Sequence, residues 1–218
     1  MVVTLTLAPG ETALLTLDRS AGPAADSAPA RHETIAEIDV WSTVVESWDA
    51  GELQLITEDR GLGYVTREVR PTTAIERLQA DTGPLRPWAD ITEVGPEVSG
   101  IGEYTTTLEV PESVDDGRLL LDLGSTAGGL GSVQINDGPV RGFDTSRPVV
   151  DVTDLVRPGR NAVRVRTASS LNNRLLARGY YERVTDITAL FSGKSAMQQT
   201  EPHPHGLLGP VRLMRELT

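Results

Sequence analysis

Cysteine is missing from all 218 residues, and that absence removes disulfide staples, thiolate metal sites and cysteine nucleophiles together while leaving the redox compartment undetermined. Lysine is reduced to Lys194, so almost all positive charge is arginine, which reads as coding bias more readily than as function. Positive charge is also outnumbered: 20 Lys and Arg face 31 Asp and Glu, a net charge of -11 with pI ≈ 4.7. Neutralising phosphates takes a basic surface, so nucleic acid is not an expected partner. No apolar run approaches the roughly 20 residues that span a bilayer, and a membrane is not an expected partner either. Met1 to Leu17 alternates apolar residues with threonines and lacks the basic-then-apolar block of a signal peptide. Aromatic residues make up only 4% of the chain, so any flat face able to cover a ligand must come from a few side chains.

What is present points to short strands. The chain holds 21 glycines and 14 prolines, and turn residues interrupt a period-two apolar alternation nearly everywhere, the pattern of a sandwich or barrel. Val3, Leu5 and Leu7 alternate with threonines, Pro9-Gly10 turns, and Ala13, Leu15 and Leu17 resume. Residues 1–18 therefore read as a short N-terminal β-hairpin, the tail of a preceding domain, since a lone hairpin is marginal in water. Residues 19–34, rich in Ala, Pro and Ser, read as a linker. From Ile35 to Trp48 the pattern puts Trp41, Thr43 and Val45 on one strand face and Val44, Glu46 and Trp48 on the other, with Leu53 to Thr57 as a partner. Glu58 to Pro87 reads as mostly loop, with one helical turn at Thr73 to Gln79.

From Trp88 onward the alternation is clear. Strands are expected over Tyr104 to Val110, Arg118 to Leu123, Val133 to Ile135, Val149 to Val152, Ala162 to Thr167 and Val211 to Met214. Asp137-Gly138 reads as a positive-φ hairpin turn, Thr153 as the cap of one helical turn ending at Pro158-Gly159, and Asn161 as a left-handed turn residue. The expected fold is thus an all-β antiparallel sandwich over residues 35–218.

The motifs Gly100 to Thr107, Leu121-Asp122-Leu123-Gly124, Val133-Gln134-Ile135-Asn136 and Asp151 to Asn161, in that order, resemble the galactose-binding-like jelly roll found in many glycoside hydrolases. Leu171-Asn172-Asn173-Arg174-Leu175 and Gly206 to Leu213 narrow the resemblance to the C-terminal region of family 106 glycoside hydrolases, the α-L-rhamnosidases. It covers roughly residues 36 to 214 and is strongest from 88 on. It implies a catalytic barrel elsewhere, because 218 residues of short strands leave no room for eight βα units of typically about 250 residues. The expected function is a non-catalytic carbohydrate-associated module, with no catalytic residue of its own. The expected partners are a carbohydrate or a glycoside hydrolase catalytic domain. The alternatives are a fragment of an α-L-rhamnosidase whose activity lies in another domain, and a protein-interaction scaffold that uses a sheet edge.

Sugar recognition needs clustered donors and acceptors together with a flat aromatic face. Asn172, Asn173 and Arg174 supply the first; Trp88, Tyr180 and Tyr181 supply the second. The competing reading makes the asparagines loop braces and gives Arg174 an acidic neighbour. Other signals are weaker. His203 and His205 are two apart but lack a visible third ligand, so no metal is expected, and no cofactor motif survives inspection. Gly193-Lys194-Ser195 ends like a phosphate loop, but position 188 is Thr where that motif needs its first glycine. Gly128-Gly129-Leu130-Gly131 lacks the following helix of a dinucleotide site, and Gly-x-Ser-x-Gly is absent.

Overall fold

The computed structural model describes residues 31–112, 114, 117–181 and 201–217. The hairpin expected over 1–18, most of the expected linker and the Gly193-Lys194-Ser195 motif lie outside the described residues. Twelve strands run in chain order: β1 Arg31–Ile38, β2 Ser42–Ala50, β3 Gln54–Asp59, β4 Tyr64–Val69, β5 Thr73–Gln79, β6 Gly100–Val110, β7 Leu119–Asp122, β8 Leu130–Ile135, β9 Arg141–Phe143, β10 Val149–Asp151, β11 Gly159–Ala168 and β12 Val211–Leu217. One helix, α1 Asn172–Ala177, and a 3-10 turn at Trp88–Asp90 complete the set among the described residues.

The strands form a four-stranded sheet in the order β1-β12-β7-β10 and a six-stranded sheet in the order β5-β2-β6-β11-β8-β9, with β3 and β4 standing apart as a hairpin arm. Every ladder is antiparallel. From β6 onward the chain crosses repeatedly between the layers, in the manner of a jelly roll. The all-β sandwich expected from the period-two pattern is the observed architecture.

The alternation explains which face each strand buries. Tyr104, Leu108 and Val110 of β6, Val133 and Ile135 of β8, and Val163 and Val165 of β11 point inward from one sheet. Leu119 and Leu121 of β7, Val150 of β10, and Val211 and Leu213 of β12 meet them from the other. Each such side chain contributes about 1.5–3 kcal/mol of burial. A second cluster of Val45, Ala80, Trp88, Ile91 and Val98 sits beside the main core. Trp41, just before β2, and Thr43 and Val45 on it are buried, while Val44, Glu46 and Trp48 are only half-buried, the division expected from their spacing.

Gly124 shows why a glycine closes the far end of β7. Its φ is 65°, and a Cβ there would lie 2.4 Å from the Gly209 carbonyl carbon. Only hydrogen allows the two backbones to pass this closely, with the Ser125 amide donating to Gly209 O (3.0 Å).

Several sequence expectations are corrected. Glu58 to Pro87 is not mostly loop: it holds β4 and β5, and Thr73 to Gln79 is a strand paired with β2, not a helical turn. Cross-strand hydrogen bonding overrides weak local preference there. Residues 31–34, assigned to the linker, belong to β1 because β12 supplies a pairing edge. The left-handed residue of the β8–β9 turn is Asn136 (φ 52°), not Asp137 or Gly138. Asn161 lies within β11, and the positive φ nearby belongs to Gly159 (82°).

Candidate functional site

A groove of ≈ 730 Å³ opens where β2 ends and the β3–β4 arm begins, roofed by α1. That volume is typical of ligand clefts, roughly 300–1,000 Å³. Trp48 and Asp49 come from the last residues of β2, Arg70 from the return of the arm, Arg174 from α1, and Arg178 and Tyr180 from the segment after it. Leu171 and Leu175 add apolar wall.

The polar groups are tied together across the chain. Arg174 donates through Nη2 to Ser47 Oγ (2.8 Å) and through Nε to the Trp48 carbonyl oxygen (3.2 Å), while its backbone amide donates to Ser99 Oγ (3.2 Å). Its Nη1 lies 3.6 Å from Asp49 Oδ2. Arg178 binds the Asp49 carboxylate through both Nε and Nη2. The Arg178 hydrogen bond, followed by the Ala50 amide and the charge of Arg174, holds the Asp49 carboxyl below the usual carboxylate range against the opposing effect of burial.

The six residues expected to bind sugar separate on inspection. Trp88 is 1% exposed, packed in the second core cluster, with Nε1 donating to the Tyr104 hydroxyl at 2.7 Å. It is a core residue with no face toward solvent, which corrects its expected role as a platform. Asn172 and Asn173 are buried at the start of α1. Asn173 Nδ2 donates to His203 O (2.9 Å) and its Oδ1 accepts from the His203 amide (2.8 Å). Asn172 Nδ2 donates to Glu201 O (2.9 Å), and its Oδ1 accepts from the Tyr181 hydroxyl (3.1 Å). Both asparagines brace α1 against the 201–205 segment, the competing reading given above. Arg174 has its acidic neighbour in Asp49 and also lines the groove. Tyr180 lines it too, is 42% exposed, and meets Tyr181 edge to face at 5.7 Å.

Sequence reasoning missed Trp48, Asp49, Arg70 and Arg178. One signal was legible: the period of β2 sends Trp48 away from the core face, and a tryptophan on that face asks for another covering. The convergence of Arg70 with α1 had no local signal, because it depends on how the arm folds back.

A second depression of ≈ 280 Å³ lies over residues 126–129, where Ser170 Oγ is 3.4 Å from His205 Nε2. His205 Nδ1 faces the Val98 carbonyl oxygen at 3.4 Å, where a catalytic triad would place a carboxylate. Burial pushes the His205 pKa down. The His203 and His205 rings are 5.9 Å apart, and among the described residues no group of three His, Asp or Glu side chains converges as a metal site. Among the described residues no helix is long and apolar enough to cross a membrane.

No family model and no curated protein matches the chain. Among solved structures it aligns with a rhamnosidase from Novosphingobium sp., with a TM-score of 0.53, 21% identity, and coverage of 87% of this chain and 16% of that one. The fold is one that a glycoside hydrolase carries. An FMN-binding β-glucuronidase from Facaelibacterium prausnitzii aligns with a TM-score of 0.39 and 14% identity, covering 86% of this chain and 23% of that one. The chain therefore spans less than a quarter of either neighbour.

Proposed function

We propose that this chain is a non-catalytic, carbohydrate-associated sandwich of a rhamnosidase-like glycoside hydrolase, and that it contacts sugar in the groove beneath α1. The observation that carries the reading is the alignment of 87% of the chain with a 16% portion of a rhamnosidase, the proportions of an accessory layer beside a much larger catalytic body. The groove agrees with it. Tyr180 offers a half-exposed ring for sugar C–H groups beside guanidinium donors for hydroxyls. The chemistry of glycoside hydrolysis asks for two carboxyl groups flanking the bond, one of them held protonated as the acid. Asp49 is the sole carboxylate lining this groove among the described residues, and its pKa is lowered, the opposite of what a proton donor needs.

Two measurements test the reading. The isolated chain should show no turnover of an aryl α-L-rhamnoside, and chemical-shift titration with rhamnose or galactose at millimolar concentration should perturb signals from Tyr180 and its neighbours. Hydrolysis by the chain alone would overturn the non-catalytic part, and silence toward every sugar tested would overturn the binding part.

A further inference from the structure

The charge of the groove runs against that of the molecule. The chain carries a net -11, yet among the described residues Arg70, Arg174 and Arg178 line the groove against Asp49 as its one lining carboxylate. Asp49 is already engaged by Arg178, by the Ala50 amide at 2.7 Å and by the neighbouring Arg174. Glu97 adds a second negative charge acting on Arg178. Among the described residues these two carboxylates act on Arg174 and Arg178, and neither forms an ion pair with Arg70.

Arg70 is exposed, and its one hydrogen bond among the described residues is from Nη1 to the Gly51 carbonyl oxygen (2.6 Å). The rest of its planar fork of donors has no protein partner there. Such a fork matches a carboxylate or another oxyanion with two parallel hydrogen bonds, which a hydroxyl cannot reciprocate. The Tyr180 hydroxyl, on the same groove, also has no hydrogen-bond partner among the described residues. Concave walls of low polarity, here Trp48, Leu171 and Leu175, concentrate the field of such charges on whatever enters.

Resting on the sugar-groove reading above, we propose that this groove selects a negatively charged sugar residue, one bearing a carboxylate or a sulfate ester, over a neutral one, with Arg70 receiving the anionic group. An all-arginine rim suits this ligand because the guanidinium stays charged at any physiological pH.

The test is calorimetry on the full chain with four probes: galacturonic acid, galactose 6-sulfate, galactose and inorganic sulfate. At low ionic strength at least one anionic sugar should bind ten-fold or more tightly than galactose. The preference should shrink at high salt, as a partly exposed ion pair is screened. Arg70→Gln, a change at an exposed position with little bearing on folding, should bring the anionic sugar to the level of galactose. Its circular dichroism should match the parent. Equal affinity for charged and neutral sugars, or a preference that survives Arg70→Gln, would overturn the charge selection and leave the sugar groove standing. Sulfate binding as tightly as the anionic sugars would mark a general anion site and overturn the sugar selectivity. Silence toward all four would remove the groove reading and this inference together.

Discussion

Trp88 carries two incompatible descriptions that a single substitution separates. As a sugar platform its ring would stand in solvent, and Trp88→Phe would leave stability unchanged. As observed, it is buried and donates to the Tyr104 hydroxyl, so the same change removes a buried hydrogen bond and some ring volume, and should cost about 2 kcal/mol in urea unfolding. Asn161 makes the stronger case. Its Nδ2 donates to Arg157 O (2.7 Å) and Gly159 O (3.0 Å), and its Oδ1 accepts from the Arg157 amide (3.0 Å) and Asn136 Nδ2 (3.0 Å). One fully buried amide thus satisfies four backbone or side-chain groups where the loop enters β11. Asn161→Ala should cost about 3 kcal/mol by the same measurement, because the abandoned groups cannot all reach water. That Asn and Asp cluster in these turns was legible in the sequence. Which of them would lie buried at the centre was not, since that depends on the neighbours each turn packs against.

Among the elements, the β3–β4 arm and α1 diverge most from what their residues announce. The arm is held by its own ladder, from Gln54 opposite Val69 to Asp59 opposite Tyr64, and Leu55, Leu62, Tyr64 and Val65 are exposed. Its base is closed by the Gly51 amide on Thr72 O (2.8 Å). Replacing residues 54–69 with a two-residue Asn-Gly turn should therefore leave the melting temperature within about 3 °C of the parent, a shift that corresponds to about 1 kcal/mol for a domain of this size. A much larger drop would show that the arm supports the sandwich. The helix α1 escaped notice because Asn172 and Asn173 are poor helix formers. It forms because those asparagines hydrogen-bond the 201–203 backbone and Arg174 reaches back to Ser47 and Trp48.

For the molecule as a whole, acid should act in two stages. Burial lowers the pKa of His205, so the unfolded chain takes up that proton first as pH falls through about 6.5. Stability present above that value is lost below it, until the folded state is also protonated. Asp151, bound by Thr153 and Arg118, has its carboxyl lowered to about 2. Its contribution is present above the unfolded carboxylate value of about 3.9 and disappears as pH falls toward 2. Urea midpoints measured from pH 8 to pH 2.5 should show both declines. Asp151→Asn should flatten the lower one, and His205→Asn the upper.

The amino-acid order by itself determined the class of fold. Apolar side chains repeating every second residue can bury one face only as strands, and so many short runs punctuated by Gly and Pro close most readily into two layers. It also fixed which face of β2, β6, β8 and β11 turns inward, because that follows from parity alone. Tertiary structure decided what lies at the groove. Asp49, Arg70 and Arg178 are far apart in the chain and meet only because β5 pairs with β2, the arm folds back at Gly51 and Thr72, and α1 caps the end of the sheet. Those are long-range pairings, and no local pattern of residues encodes their distance.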